Sequence, residues 1–337
     1  MSNTLEQNLG VGLDVGTMTI LSARQQGSKV ITNRIRDAFI DLDAANKKSL
    51  RLSQVDYIEK GDQLLVIGDS ALNMANLFKR EVRRPLSRGI ISAGELDAQQ
   101  VLSLLVGHVL GKPLAEGEHC YFSVPAAPID DTVQDVIYHT EIFKKIISEY
   151  GFTPHPMNEA MAIVYSQCAE SNFSGICASF GAGMINVALA YQTIMGLSFA
   201  LGKGGDWVDA QSAKAVGSTS SRMCSIKERG VDLAAPKGRD EEALVLYIRS
   251  LIRYCLDNIA TQFKKVQATL DLPDPIPFIV SGGTSKAGGF MTLFSEEFEA
   301  IKKKGFPIQI SEIRHARDPM TAVAEGLLVL ATEEHSG

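Results

Sequence analysis

Three glycine-containing turns are the features of this sequence best suited to bind an anion. Each follows an apolar run typical of a buried strand: Gly16-Thr17, Gly181-Ala182-Gly183 and Gly282-Gly283-Thr284. Glycine has no Cβ, so the backbone N–H groups of such turns can approach phosphate oxygens closely. One such turn alone is more typical of a tight loop, but three strand-end turns are compatible with convergence on one phosphate-containing ligand.

Asp14 is the acidic residue next to the first of these turns. It follows Leu13 at the end of an apolar run, where an ionised carboxylate is costly unless it meets a cation. A Mg²⁺ ion on bound phosphates would be such a cation, contacted through water because Mg²⁺ gives up its hydration shell reluctantly. The alternative is a strand-end aspartate that accepts hydrogen bonds from turn amides.

Two segments of similar pattern contain the first two turns. Residues 10–35 and 175–200 both alternate apolar positions around a glycine turn and a second turn, which predicts three antiparallel strands in each. Asp14 aligns with Ser179 and Gly16 with Gly181, so the copies lie 165 residues apart, about half the chain. This offset predicts two similar α/β lobes, although two glycine hairpins can also resemble each other by chance.

Composition narrows the class of protein. A chain of 337 residues with 45% hydrophobic residues is long enough for two domains or two lobes, and its net charge of −6 gives no general reason to bind nucleic acid or anionic membrane. We find no run near the roughly 20 apolar residues of a membrane span. The polar start MSNTLEQN is unlike a signal peptide, so we expect a cytoplasmic protein. The five cysteines lack paired short spacings and predict reduced thiols.

Two further features are assigned no site at this point. His155 lies between two prolines without a metal partner at helical spacing, and we predict a loop residue there. The basic cluster KREVRR at 79–84 is interpreted as a solvated surface of a folded lobe.

Together these segments resemble the actin-like ATPase superfamily. GLDVGTMTI (12–20) and ASFGAGMINVALA (178–190) are similar to its two phosphate segments, FIVSGGTSKAGGF (278–290) to its adenosine segment, and DPMTAVAEGLLVL (318–330) to its closing helix. LLVIGDSALNM (64–74) and RRPLSRGIIS (83–92) resemble bacterial actins of the MreB and magnetosome type. The resemblance covers nearly the whole chain.

The resemblance implies a two-lobed actin-like fold of the α/β class, a duplicated ribonuclease-H-like fold with a nucleotide cleft between the lobes. The first lobe would comprise residues 1–170 with a smaller inserted subdomain at about 36–95. The second would comprise residues 171–317 with a smaller subdomain at about 205–260, and residues 318–337 would return to the first lobe as a closing helix.

The resemblance also implies ATP or ADP with Mg²⁺ as ligands. Asp14 is then expected to hold the metal, and Asp14 and Glu159 are the candidate catalytic residues. The candidate nucleotide-binding residues are Gly16, Thr17, Met18, Ser179, Gly181, Ala182, Gly183, Gly205, Gly282, Gly283 and Thr284. Arg222 and Lys227 lie in the region that resembles the ribose-contacting helix, and the ambiguous register there leaves them as secondary candidates only. Lys286 either lies near a phosphate or is solvated, and the solvated position is favoured.

Glu159 resembles the family's acidic residue that orients the attacking water, although Ala160 stands where proline is usual. A helix N-terminus favours glutamate through its dipole alone, so that alternative stays open. In the second phosphate segment, Ser179, Met184 and Ile185 stand where an Asp and a Thr pair are usual. We therefore expect weakened or altered hydrolysis, and a slow ATPase reaction and its complete loss both remain compatible with the sequence.

The resemblance implies a cytoskeletal protein that self-associates into protofilaments and acts with a cargo or adaptor that the sequence does not identify. The alternative is a monomeric chaperone-like or sensory ATPase of the same fold. A sugar or acetate kinase is less favoured, because no aspartate base for a hydroxyl acceptor stands in a motif that we recognise.

Overall fold

The computed structural model describes residues 9–55, 57–78, 81–130, 136–266 and 272–336. Within these ranges the chain forms fifteen strands: β1 (Val11–Val15), β2 (Thr19–Gln26), β3 (Lys29–Arg36), β4 (Phe39–Asp43), β5 (Tyr57–Lys60), β6 (Gln63–Ile67), β7 (Leu86–Ser87), β8 (Ile90–Ile91), β9 (His119–Val124), β10 (Thr153–Asn158), β11 (Gly175–Phe180), β12 (Ile185–Tyr191), β13 (Ile194–Leu201), β14 (Ile276–Ser281) and β15 (Ile310–His315).

Ten α-helices accompany the strands in the same described ranges. They are α1 (Lys47–Leu52), α2 (Gly68–Phe78), α3 (Ala98–Leu110), α4 (Val136–Glu149), α5 (Glu159–Gln167), α6 (Gly205–Val216), α7 (Ser220–Glu228), α8 (Arg239–Val266), α9 (Phe290–Lys302) and α10 (Ala322–Ser336). None of the helices that can be described is both long and apolar enough to span a membrane.

Two five-stranded sheets of the same topology form the centre of the molecule. The first has the order β10-β9-β1-β2-β3 and the second β15-β14-β11-β12-β13. In each, three consecutive strands form an antiparallel meander and two later strands add in parallel beside its first strand. The predicted meanders and the predicted α/β duplication are confirmed.

The offset of 165 residues holds in the strand register. Asp14 on β1 lies opposite Leu21 on β2, and Ser179 on β11 lies opposite Asn186 on β12. Because a shift of one residue would turn every side chain to the other face, the match places the corresponding residues of both copies on corresponding faces.

Helices α5 and α10 pack together between the two sheets. Helix α5 contacts β11 and β12 of the second sheet, whereas α10 contacts β1, β2 and β9 of the first. Glycines allow this close approach, because a Cβ on Gly326 would overlap the carbonyl oxygen of Ala162 and one on Gly12 would overlap that of Ala324. The α5–α10 pair therefore joins the two lobes through direct backbone contact.

Smaller elements extend the first lobe. Strands β4, β5 and β6 form a three-stranded sheet in the order β4-β6-β5, and β7 and β8 form a short hairpin whose turn reaches the space between the main sheets. The domain boundaries at residues 170 and 317, and the subdomain limits given above, stay predictions.

The prediction of a loop at His155 is wrong. His155 lies on β10, which is an edge strand. Proline lacks the N–H that a central strand must donate, but an edge strand has a free side, so Pro154 and Pro156 fit there.

In the described part of the basic cluster at 79–84, Glu81 is exposed as a solvated surface requires, whereas Arg83 and Arg84 are only partly exposed. Lys79 and Arg80 lie outside the described residues. Arg83 is part-buried beside Asp41 and Glu95, with its guanidinium 4.5 Å from the ring centroid of Phe39.

The contact between α5 and α10 generates a stability prediction. Gly326→Ala is expected to lower the free energy of unfolding by about 1–3 kcal/mol or more, because the added methyl group forces the two backbones apart. An exposed helical Gly→Ala change would instead stabilise by about 0.5–1 kcal/mol. Urea denaturation of the purified protein measures the difference.

Gly94→Ala is the matched control, because a Cβ there meets nothing within 4 Å. It should change stability by less than about 0.5 kcal/mol. Equal stability of Gly326→Ala and the parent would contradict the packing described here.

Candidate functional site

The three glycine turns meet in one cavity of about 480 Å³ between the two sheets. The candidate catalytic residues and the candidate nucleotide-binding residues of the turns all line it: Asp14, Gly16, Thr17, Met18, Glu159, Ser179, Gly181, Ala182, Gly183, Gly205, Gly282, Gly283 and Thr284. Of the two further candidates in the predicted ribose-contacting helix, Lys227 lines the cavity and Arg222 does not. Their individual roles stay predictions, but their convergence is a property of the fold.

The second and third turns are held together by hydrogen bonds. The Gly181 carbonyl accepts from the Thr284 hydroxyl at 3.0 Å and from the Gly205 N–H at 3.0 Å. Gly282 has a φ of +89°, and a Cβ there would lie 2.5 Å from the backbone of Phe180. The turn at Gly282 therefore needs glycine both for its backbone conformation and for its approach to β11.

The first and second turns approach each other at the hairpin of β7 and β8. The Gly89 N–H donates to the Thr17 hydroxyl at 2.9 Å. A Cβ on Gly183 would lie 2.5 Å from that hydroxyl and 2.6 Å from the Gly89 nitrogen. Gly89 is thus a cavity residue that the sequence reasoning missed, since its segment carried only a family resemblance and no chemical signal.

Several N–H groups of the first two turns are available to a ligand. Within the described part of the chain, the backbone N–H groups of Thr17, Met18, Ala182 and Gly183 have no hydrogen-bond acceptor. Buried backbone N–H groups without partners are rare in folded proteins, and Thr17 and Gly183 are buried, whereas Met18 and Ala182 are half-buried. Their position at the cavity makes them suitable donors to an anion.

Asp14 reaches the cavity from the end of β1. Its Oδ1 accepts from the Ser123 hydroxyl at 3.0 Å, and the Ser123 oxygen accepts from the Val15 N–H at 2.7 Å. Burial raises the pKa of Asp14 to about 6, and the Ser123 hydrogen bond only partly offsets this rise. The partner of Asp14 is therefore a side-chain hydroxyl from β9 and not the turn amides that were the alternative.

Glu159 is the first residue of α5 and lies near Asp14. Its Oε2 accepts from the Asn186 side chain at 2.7 Å, and the Asn186 Oδ1 accepts from the Ala126 N–H at 2.9 Å. Burial, and secondarily repulsion by Asp14, raises the pKa of Glu159 to about 8, while a hydrogen bond from Ser179 lowers it. Asn186 is a second residue that we missed, although a lone amide inside the apolar run INVALA was a usable signal.

The two carboxyl groups, of Asp14 and Glu159, lie near each other without a positively charged side chain paired to either of them in the described part of the chain. A cation near both would favour their ionised forms and lower both pKa values. Oxygen donors are the ligands that Mg²⁺ prefers, so the residues present fit a magnesium ion.

The second turn provides little polar chemistry of its own. Ser179 is 2% exposed, and Met184 and Ile185 are buried in the hydrophobic core. A neutral hydroxyl therefore stands in the second copy where Asp14 stands in the first. Neither side chain at 184 or 185 can donate a hydrogen bond to a phosphate or to water.

The position of α7 relative to the cavity decides which of its two basic candidates, Arg222 or Lys227, can contact a ligand. Lys227 lines the cavity, donates to the Gly205 carbonyl at 3.0 Å and forms an ion pair with Asp209 at 2.9 Å. Arg222 pairs with Asp240 on the surface. Lys286 is exposed and also lines the cavity. Lys227 is therefore the basic residue of α7 that can contact a ligand.

Two ion pairs connect the lobes beside the cavity. The guanidinium of Arg36, at the end of β3, donates to both carboxylate oxygens of Glu228, at 3.0 and 3.2 Å. Arg84 pairs with Asp206 in the first turn of α6 at 3.0 Å. We refer to Arg36–Glu228 and Arg84–Asp206 as the cross-cleft ion pairs.

Comparison with solved structures defines the class of fold. The chain is similar to a MamK double helical filament, with a TM-score of 0.70 and 17% identity over 96% of this chain and 98% of that chain. It is also similar to MreB 5 of Spiroplasma citri bound to AMPPNP, with a TM-score of 0.67, 13% identity and 98% of both chains covered. A third similar structure is the ethanolamine utilization protein EutJ from Carboxydothermus hydrogenoformans, with a TM-score of 0.54 and 18% identity over 98% and 92% of the two chains. The fold is the two-lobed actin-like fold, as the resemblance implied.

A family model gives the more specific assignment. The model described as Volactin matches residues 9–331, so the chain belongs to the Volactin family. No curated protein sequence matches the chain.

The raised pKa of Glu159 generates a prediction on stability. The folded protein binds this proton more tightly than the unfolded chain, so stability without ligand should fall as the pH rises from about 5 to above 8. Glu159→Gln resembles the protonated form and is expected to be more stable than the parent above pH 8, by on the order of 1–3 kcal/mol. Urea unfolding at about pH 5 and about pH 9 measures this difference.

Glu149→Gln, which changes an exposed glutamate of α4, is the control and should follow the parent at both pH values. Parallel pH profiles for the parent and Glu159→Gln would show that Glu159 is ionised in the folded protein.

Proposed function

We propose that this chain is an actin-like cytoskeletal protein of the cytoplasm that binds ATP or ADP between its lobes and polymerises into filaments with weakened hydrolysis. The observation that carries the proposal is the convergence of all three glycine turns on one cavity. Fold alone does not determine function, so the argument depends on the chemistry of this site.

The phosphates of the nucleotide would lie between the first two turns. The N–H groups of Thr17, Met18, Ala182 and Gly183 are the proposed donors, since they lack acceptors within the described residues. The cavity of about 480 Å³ falls within the range of roughly 300–1,000 Å³ typical of small-ligand sites. The MreB 5 structure to which this chain is similar is bound to AMPPNP.

The base and ribose would lie beside the third turn. The backbone of Gly282 and Gly283 lines the cavity there. Met320 lies close to Gly283, with its sulfur 3.3 Å from the position of a Cβ. A flat ring can pack between a glycine backbone and a thioether side chain. Lys227 and Thr284 are the nearby polar groups for the ribose.

Asp14 is the proposed contact to Mg²⁺, through metal-bound water. When bound, the ion would neutralise charge on the phosphates and on the acidic pocket. Ser123 would hold the Asp14 carboxylate in orientation through its hydrogen bond of 3.0 Å.

Hydrolysis is proposed to be weak because the second turn lacks an acid. Glu159 remains as the group that orients the attacking water, and Asn186 positions it through a bond of 2.7 Å. Positioning and charge neutralisation dominate phosphoryl transfer, and Ser179 contributes no charge. Nucleotide binding should therefore survive better than turnover.

Polymerisation is supported by the likeness to a MamK filament. Head-to-tail contacts between different faces of one chain do not close a ring and so generate filaments. The cargo or adaptor is not identified by any feature of the site.

The metal assignment predicts the effect of a single substitution. Asp14→Asn removes the charge and retains a hydrogen-bond acceptor for Ser123, so it should lower Mg²⁺-dependent ATP affinity by roughly tenfold, about 1.4 kcal/mol. Calorimetry with and without Mg²⁺ measures the effect. Asp62→Asn changes an exposed acid remote from the cavity and should bind like the parent. Equal Mg²⁺ dependence in Asp14→Asn and the parent would remove Asp14 from the metal site.

Sedimentation tests the proposed function as a whole. Purified protein should pellet with ATP and Mg²⁺, and equally with a non-hydrolysable analogue, because filament formation is proposed to need binding and not turnover. Negative-stain microscopy should show filaments in the pellet, and phosphate release in the same reaction should be slow. Nucleotide-binding protein that stays monomeric at high concentration with ATP, ADP and the analogue would favour the chaperone-like or sensory alternative.

A further inference from the structure

A cluster of potential metal ligands lies outside the proposed nucleotide cavity, at the β9–β10 edge of the first sheet. It consists of His119, His155 and Glu334, and one potential ligand atom from each lies within 4.8 Å of the other two. The two histidines are half-buried and Glu334 is exposed. None of the three lines the nucleotide cavity.

The strand register explains why the histidines meet. His119 on β9 lies opposite Thr153, and His155 on β10 lies opposite Tyr121. Residues two apart on a strand share a face, so both imidazoles project from one face of this parallel pair. The His119 Nδ1 lies 2.7 Å from the His155 Nε2, with ring centroids 4.8 Å apart.

Glu334 comes to the same place from the last turn of α10. Its Oε2 accepts from the Tyr121 hydroxyl at 2.7 Å, and the Tyr121 ring stacks on His155 with centroids 4.8 Å apart. Burial, together with Glu334, raises the pKa of Tyr121 to about 12, so this hydroxyl stays protonated and donates to the carboxylate.

We propose that His119, His155 and Glu334 form a site for a divalent transition metal, with Zn²⁺ as the first candidate. Two imidazoles and one carboxylate form a donor set that Zn²⁺ accepts, with water in the fourth position. The partial exposure of the cluster leaves room for that water.

The geometry needs two adjustments to accept the ion. Zn–N bonds of about 2.0–2.1 Å in tetrahedral geometry place the two nitrogen atoms about 3.3 Å apart, so the rings must separate by roughly 0.6 Å. The Glu334 oxygen, which lies within 4.8 Å of the other two ligand atoms, must approach them by up to roughly 1.5 Å, which the exposed end of this side chain allows. The hydrogen bond from Tyr121 would orient Glu334, as hydrogen bonds to metal-ligating groups commonly do. The bound ion would link the end of α10 to β9 and β10.

Cobalt absorption and zinc binding of the full, untagged chain test the site. After treatment with a chelator and without nucleotide, the parent should bind one equivalent of Co²⁺ with the visible bands of tetrahedral coordination by nitrogen and oxygen ligands. His155→Ala and Glu334→Gln should lose these bands. Tyr121→Phe should weaken Zn²⁺ affinity by roughly 10- to 100-fold while keeping the ligands.

Two controls match the ligand types. His108→Ala removes an exposed histidine of α3, and Glu333→Gln removes the exposed acid next to Glu334. Both should bind Co²⁺ like the parent. Zn²⁺ should also raise the thermal unfolding midpoint of the parent and not that of His155→Ala.

A parent without tetrahedral Co²⁺ bands, or identical bands in the parent and His155→Ala, would overturn the proposal. Glu334→Gln changes an exposed side chain, so loss of binding in that variant reports on the site and not on misfolding. Nucleotide binding is expected to be normal in these variants, which separates this test from that of the proposed function.

Discussion

Two half-buried carboxyl groups line one cavity where the lobes meet, and the hydrogen bonds around this cavity serve to hold them there. Asp14 and Glu159 come from opposite ends of the first lobe's sequence, one from the end of β1 and the other from the start of α5. The Ser123 hydroxyl and the Asn186 amide each donate a hydrogen bond to one of these carboxylates, which favours the ionised form but brings no positive charge. A half-buried acidic pair of this kind favours a nearby cation or a bound proton.

The duplication has distributed polar groups differently in its two copies. In the first copy the acid is on the first strand, with Leu21 opposite Asp14. In the second copy Ser179 is on the first strand and the polar partner, Asn186, is opposite. Asn186 is 1% exposed and binds Glu159, which belongs to the first lobe's sequence. The second half of the chain therefore provides Asn186, which positions Glu159, whereas both acidic residues, Asp14 and Glu159, come from the first half.

The sequence was informative where chemistry imposes a local rule. Glycines at strand ends and the alternation of the meanders predicted the sheets and the lining of the cavity, because backbone approach and side-chain alternation are local constraints. The position of the cavity between the two lobes was predicted only from the family resemblance. Contacts between distant segments could not be read in the same way, as with Gly89 against Thr17 and Arg84 against Asp206.

His155 is a second example of a contact between distant segments that the sequence does not reveal. The flanking prolines correctly indicate a segment that cannot be a central strand, but they do not distinguish a loop from an edge strand. Its neighbour His119 is 36 residues earlier in the sequence, and only the parallel pairing of β9 with β10 brings the two rings together. A search for ligands at helical spacing could not find this pair.

The cross-cleft ion pairs have a consequence for the kinetics of ligand exchange. Arg36–Glu228 and Arg84–Asp206 both connect the first lobe to the helices α6 and α7, so a rigid-body opening of the cleft separates them at the same time. Their side chains are partly exposed, and dissolved salt therefore screens the attraction between them. The rate at which the closed molecule releases a trapped small molecule should for this reason depend on ionic strength, even where the equilibrium affinity of the interior contacts does not.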